Sequence, residues 1–280
     1  LIKNVQILSD DLVQNGDFSQ IGSEEVSNGD FSQIGSELIT NGDFSDGLNG
    51  WSAVNTTVVN ERAYVDASSD NTGYIKWSTA LVAGNFYEIT FDLQVIQGRV
   101  NFENWGGTVI KQYTDAQTVT ETLIFKMDGT ENKFLFGRNG LYSPRAIFYL
   151  DNVSVKEVGQ NWTINDGFTV GDNKVICDGS QTVNTSVYQN IGSQSGKIIK
   201  FSFNVSNYIS GTLQTALFGA VGTQVNNITS NGDYTFYINV QSGHNGNTGF
   251  VALTDFVGDI TNISVKEVGQ NWTLSDGATI

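Results

Sequence analysis

Apolar and polar residues alternate with a period of two in several stretches of the chain. Tyr87, Ile89, Phe91, Leu93 and Val95 fall on one side of a strand-like run, and Glu88, Thr90, Asp92 and Gln94 on the other. Leu123, Phe125 and Met127 alternate likewise, and Phe134–Phe136 and Ile147–Val155 supply the last runs of this group. The pattern returns at Ile199, Phe201, Phe203 and Val205, and again at Tyr234, Phe236, Ile238 and Val240. Turn-forming clusters separate the runs: Asp128-Gly129-Thr130-Glu131-Asn132, Ser230-Asn231-Gly232-Asp233 and Gly243–Gly249. No window sustains a 3.6-residue period, so helix should be nearly absent. One-faced alternation with regular turns predicts an all-β chain of antiparallel sheets packed face to face, a β-sandwich or jelly roll.

The chain also repeats itself. SVKEVGQNWT occurs at Ser154–Thr163 and again at Ser264–Thr273, one small-domain length apart. Trp51 falls about one such step before Trp162, and RAYVDAS at Arg62–Ser68 lines up with KVICDGS at Lys174–Ser180. LDNVSVKEV at Leu150–Val158 lines up with ITNISVKEV at Ile260–Val268. These matches predict one module over residues 38–158, a second over 159–268, and the opening of a third over 269–280. Ile2–Ile7 resembles the closing motifs, so residues 1–11 read as the last strand of a preceding module, and the segment reads as a window on a longer array. A shorter, 13-residue repeat precedes the first module: NGDFS stands at Asn15–Ser19, Asn28–Ser32 and Asn41–Ser45. Asn-Gly is a strong turn signal because both residues tolerate positive φ. Only the third copy runs on into a module. Residues 12–37 therefore look like two duplicated opening strands without bodies, too small to fold alone. They are expected to pack along a neighbour as added strands or a collar, with a loose linker as the alternative.

Composition narrows the function. The chain carries 14 basic and 29 acidic residues, a net charge of −15. A field of that sign repels phosphates and anionic membrane surfaces, so neither nucleic-acid binding nor membrane insertion is expected. The one cysteine, Cys177, cannot form an intrachain disulfide, and its place in VICDG reads as a small buried hydrophobe.

The opening LITNGDFSDGLNGWS, the Tyr87–Val95 strand and the close FYLDNVSVKEV resemble carbohydrate-binding modules of the xylan- and cellulose-binding jelly-roll type (families four, nine, sixteen and twenty-two). The likeness covers the first module from end to end. The second keeps its tryptophan and final strand but lacks NGDF. Tandem modules with duplicated openings and junctions also resemble tail-fibre and other virion surface proteins of tailed phages. The resemblance implies a structural calcium between opening and final strands, at positions matching Asn41, Asp43 and Asp151. Ser45 stands where the family has an acid, and Thr261 stands in place of Asp151 in the second module. A glycan site needs aromatic faces with amide and hydroxyl partners. Trp77, Trp105, Tyr113 and Tyr142 are the candidates in the first module, and Tyr188, Tyr208 and His244 in the second. The recurrent Trp51, Trp162 and Trp272 read as core.

Catalysis has little to work with. One His and one Cys allow at most one nucleophilic arrangement, no nucleophile elbow surrounds His244, and HExxH and CxxC spacings are absent. Gly243–Asn247 reads as a solvated loop. With little catalytic signal in the residues, the resemblance implies a non-enzymatic structural or adhesive protein of a virion surface, such as a fibre or spike, with weak glycan binding. Its partners would be other virion proteins, copies of itself and a host-surface glycan. Two alternatives stand beside it: the accessory binding region of a secreted polysaccharide-degrading enzyme, and an extracellular filament or surface-layer protein.

Overall fold

The computed structural model describes Asn15 and residues 19–69, 72–106, 108–114, 116–128, 131–137 and 144–270. The expected closing strand at 1–11, Tyr142 and nearly all of the expected third opening lie outside these. Among the described residues there is no helix, and the fold is all-β, in antiparallel sheets. The chain divides into two compact units: residues 31–176 form one, and residues 1–30 with 177–280 form the other.

Two sheets build the continuous unit. One runs β10 (Gln117–Lys126), β7 (Phe86–Gln97), β12 (Ile147–Val158), β5 (Arg62–Asp66) and β4 (Thr56–Val59), with β2 (Ile34–Glu37) paired to β12. The other runs β3 (Trp51–Val54), β6 (Tyr74–Trp77), β11 (Phe134–Gly137), β8 (Arg99–Asn104) and β9 (Thr108–Thr114). The alternation read from sequence is what joins them: Ile89, Phe91, Leu93 and Phe148 of the first sheet share a buried cluster with Ile75, Trp77, Phe102, Phe134 and Phe136 of the second. Ring contacts cross the gap, Phe91–Phe136 at 4.7 Å and Phe102–Phe125 at 5.3 Å, both edge-to-face. This is a β-sandwich.

The discontinuous unit repeats the plan. β22 (Val257–Val268) pairs with β17 (Ile198–Ser210), which pairs with β20 (Gly232–Asn239). Its second sheet holds β16 (Thr185–Asn190), β21 (Asn247–Ala252), β18 (Leu213–Leu217) and β19 (Asn227–Ile228). Phe203 of β17 meets Phe250 of β21 at 4.6 Å, edge-to-face. Three short strands, β13 (Thr163–Ile164), β14 (Phe168–Gly171) and β15 (Lys174–Cys177), precede them in the chain. The division by contacts falls after residue 176.

The segments read as bodiless openings have places. β1 (Ile21–Glu24) pairs antiparallel with β22, Ile21 opposite Val268, while β2 pairs with β12, Ile34 opposite Val158. The middle NGDFS copy therefore opens the discontinuous unit, whose own body lacks one, and the third copy opens the continuous unit. Along the chain, the residues of the continuous unit come between the second unit's opening strand and its body. The glycine of NGDFS is needed for close approach rather than for a turn: a Cβ on Gly42 would lie 1.8 Å from the Val153 carbonyl oxygen, and one on Gly29 2.0 Å from that of Ile263. Neither glycine has positive φ, whereas Asn152 and Asn262, at the bulge opposite, do.

Glu37 fastens β2. It accepts from the amides of Leu38, Ile39 and Val155 at 2.9–3.0 Å and from the Ser154 hydroxyl. Burial alone would raise its carboxyl pKa, but the bonds from Ser154, Val155, Ile39 and Leu38 outweigh it and leave the pKa below the ordinary value. A carboxyl depressed on folding stabilises above its unfolded pKa, roughly 4.3, and loses that contribution as pH falls through the folded value. Melting followed against pH should show the continuous unit weakening below about pH 4.3, and Glu37→Gln should flatten that part of the curve. An unchanged slope in the variant would show that the carboxylate does not fasten the strand.

Candidate functional site

On the sheet β3-β6-β11-β8-β9, alternation sends Ile75, Trp77, Val100, Phe102, Phe134 and Phe136 into the core. The intervening residues form the opposite face. Cross-strand register places Lys76, Leu135 and Glu103 in one row, and Tyr74, Gly137, Asn101 and Gln112 in the next. Lys76 is only 9% exposed and Glu103 only 3%, although both point away from the apolar cluster. Gln112 Nε2 donates to Asn101 Oδ1 at 2.9 Å, and Asn101 Nδ2 donates to Glu103 Oε2 at 3.4 Å.

Trp105, just past β8, lies across this face. Its backbone N–H donates to the Lys133 carbonyl at 2.7 Å, which anchors the main chain. Lys76 Nζ stands 3.6 Å from the centre of its ring, and the Tyr74 ring lies 5.9 Å away, tilted by 52°. The indole also hydrogen-bonds Glu131, whose Oε2 takes Lys76 Nζ at 3.5 Å and Lys133 Nζ at 3.4 Å. Burial raises the Glu131 pKa, but the indole bond and the two ammonium groups bring it below its ordinary value, so the group holds its charge. The ring is half-buried and fixed by three neighbours, Lys76, Tyr74 and Glu131. An ordered indole can stack on the C–H face of a sugar ring; Asn101 and Glu103 are buried and bonded to each other, so the polar group beside the ring that reaches solvent is the Glu131 carboxylate.

The other sequence candidates are placed differently. Trp77 is 4% exposed and packs edge-to-face against Trp51 at 5.2 Å, so it is core and shows no face to a ligand. Tyr113 is 1% exposed, points to the inner side against Phe91, and donates its hydroxyl to Glu121 at 3.3 Å; burial, first, and the Glu121 charge raise its pKa. Tyr188 is half-buried against Phe218 at 5.2 Å and covers Gly249 across the ladder. Tyr208 donates its hydroxyl to the Gly211 carbonyl at 3.0 Å and packs towards Phe256, holding a bend. His244 is buried rather than solvated: Nδ1 accepts from the Gln194 amide at 2.9 Å, and Nε2 lies 3.0 Å from the Asn247 carbonyl, which makes the ring a loop pin. Tyr142 lies outside the described residues. Burial raises the Cys177 thiol to about 11, in keeping with its reading as a buried hydrophobe.

Calcium does not fit the three residues expected to hold it. Asn41 spends its side chain on its own loop, donating to the Gly47 and Asn49 carbonyls at 3.0 Å each and accepting from the Asp46 amide at 3.1 Å. Asp43 accepts from the Ser45 amide and hydroxyl. Asp151 has its pKa raised by burial, with Asp92 and Asp43 adding to the rise against the Asn152 amide and Arg62. No metal-holding group of three or more His, Cys, Asp or Glu side chains occurs among the described residues.

Reading from sequence missed Tyr74, Lys76, Asn101, Glu103 and Glu131. The first four alternate with core residues in Tyr74-Ile75-Lys76-Trp77 and Val100-Asn101-Phe102-Glu103, a visible signal of an outward polar row. It also missed Tyr64 and Tyr149, a cross-strand pair 4.9 Å apart on β5 and β12, with the Arg62 guanidinium 4.6 Å from the Tyr149 ring.

No family model and no curated protein matches the chain. Among solved structures it is similar to the N-terminal tandem of two family 22 carbohydrate-binding modules from Paenibacillus barcinonensis Xyn10C, at 12% identity and a TM-score of 0.34, over 84% of this chain and 99% of that one. A family 4 carbohydrate-binding module is similar at 18% identity and a TM-score of 0.27, over 47% of this chain and 99% of its own. An allantoicase is similar at 13% identity and a TM-score of 0.28, over 88% and 89%. At such identity and overlap none of the three assigns an activity or a ligand to this chain.

Proposed function

We propose that the chain is part of a non-catalytic, modular structural and adhesive protein of a virion surface, and that its continuous unit holds glycan on the face crossed by Trp105. The supporting observation is the half-buried indole fixed in place by Lys76 and Tyr74 beside the exposed Glu131 carboxylate. Ordering the ring before the ligand arrives lowers the cost of binding, and copy number raises a weak affinity. Duplicated openings and junctions favour a protein lengthened for display.

A glycan array probed with the full chain should give hits that Trp105→Ala weakens by at least about tenfold, or about 1.4 kcal/mol, with the melting temperature within a degree or two of the parent. Silence across plant, algal and bacterial glycans would reject the binding site. Peptides of the chain in purified virions support the location; an open reading frame that continues into a glycanase domain assigns the same face to a polysaccharide-degrading enzyme.

A further inference from the structure

The two opening segments occupy ladders that match bond for bond. Ile34–Glu37 and Ile21–Glu24 are both IGSE, and the closing strands both carry SVKEV, at Ser154–Val158 and Ser264–Val268. Ile34 stands opposite Val158 and Ile21 opposite Val268; Glu37 opposite Lys156 and Glu24 opposite Lys266. The Val155 amide donates to Glu37 at 2.9 Å, and the Val265 amide to Glu24 at 2.7 Å. Ser154 and Ser264 donate their hydroxyls to the same two glutamates. Leu38 N–H to the Val155 carbonyl is 2.9 Å, and Glu25 N–H to the Val265 carbonyl is 3.0 Å; the amides of Val153 and Ile263 each donate at 2.9 Å, to the carbonyls of Gly42 and Gly29. Phe44 and Phe31 share a left-handed backbone, and each meets a tryptophan, Trp51 at 5.3 Å and Trp162 at 5.2 Å.

We propose that these opening strands exchange between chains, the strand of one copy seating on the closing strand of a second copy and so linking copies through their modules. Within the ladder the two seats offer the same groups; beyond it, Gln189, bonded to the Ser27 backbone at 2.8 and 2.9 Å, and the Thr261 hydroxyl, on the Asp30 carbonyl at 3.5 Å, mark the discontinuous unit's own opening. In the discontinuous unit the opening strand is tied to its body only through residues 31–176, the entire continuous unit. Exchange conserves each of these bonds, so its cost is the loss of free motion alone, which falls as concentration rises. The occupant is a second copy because this chain carries both the IGSE strand and its fitted seat. The proposal is independent of glycan binding.

The test uses the full chain. Warmed close to its unfolding midpoint at high concentration and cooled, it should form dimers and larger species whose yield rises with concentration and which persist on dilution, read by light scattering after size exclusion. Chains carrying Ile21→Cys, warmed together with chains carrying Val268→Cys, should then form an interchain disulfide, since ladder partners lie within bridging distance. Because the two ladders offer the same groups, Val158→Cys chains should trap Ile21→Cys chains as well. Monomers at every concentration, or dimers in which neither disulfide forms, would overturn the proposal.

Discussion

Gly29→Ala should lower the stability of the discontinuous unit by about 2–4 kcal/mol, within the range of a backbone clash at a special position, and leave the continuous unit unchanged. Gly42→Ala should do the reverse. Each new methyl would sit 2.0 Å or 1.8 Å from a backbone carbonyl oxygen, and the neighbour in both cases is main chain in a ladder, not the end of a movable side chain. The opening strand must lift, which breaks the bonds from the Ile263 or Val153 amide and those on Glu24 or Glu37. For a unit of this size the loss corresponds to roughly 10 °C in melting temperature. Hydrogen exchange resolved by peptide locates it: Gly29→Ala should release amides of β22 and β17 and spare β12 and β7. Faster exchange in β12 instead would mean that the middle NGDFS copy belongs to the continuous unit.

Trp77→Ala should unfold or nearly unfold the continuous unit, at a cost of about 3–5 kcal/mol for deleting a buried tryptophan. Its ring is held between Trp51 and the Gly50 backbone, where a Cβ on Gly50 would come within 2.9 Å of the indole. Trp105→Ala removes the same side chain from a half-buried surface position and should hardly move the melting curve. Thermal melts of the two variants side by side separate core from surface. Equal losses in both would show that Trp105 is a packing residue and would weaken the glycan reading with it.

The strands were legible because a half-buried strand writes its two faces as alternating letters. Tyr87–Val95 and Ile199–Val205 are strands with the expected inward residues, and Ile89, Phe91, Phe201 and Phe203 are all buried. The candidate site was legible only in part. Aromatic residues are candidates by type, and type does not say whether a ring faces inward: Trp77 and Tyr113 do, while Trp105, beyond the end of β8, does not. Asn41 shows the same limit for metal ligands, since a side chain with the right oxygen is turned into its own loop by the Gly47 and Asn49 carbonyls.

Sequence by itself determined that this chain is built from β-strands, that a tryptophan-bearing module recurs, and that spare NGDFS openings precede a body that lacks one. Both halves of that last clue were visible, but identical letters cannot say which opening meets which closing strand. The tertiary structure decided it, by placing the middle copy on β22 and the third on β12. The physical reason is that strand pairing is set by which edge is within reach once the intervening chain has folded, a property of distance in space that no local pattern of residues encodes.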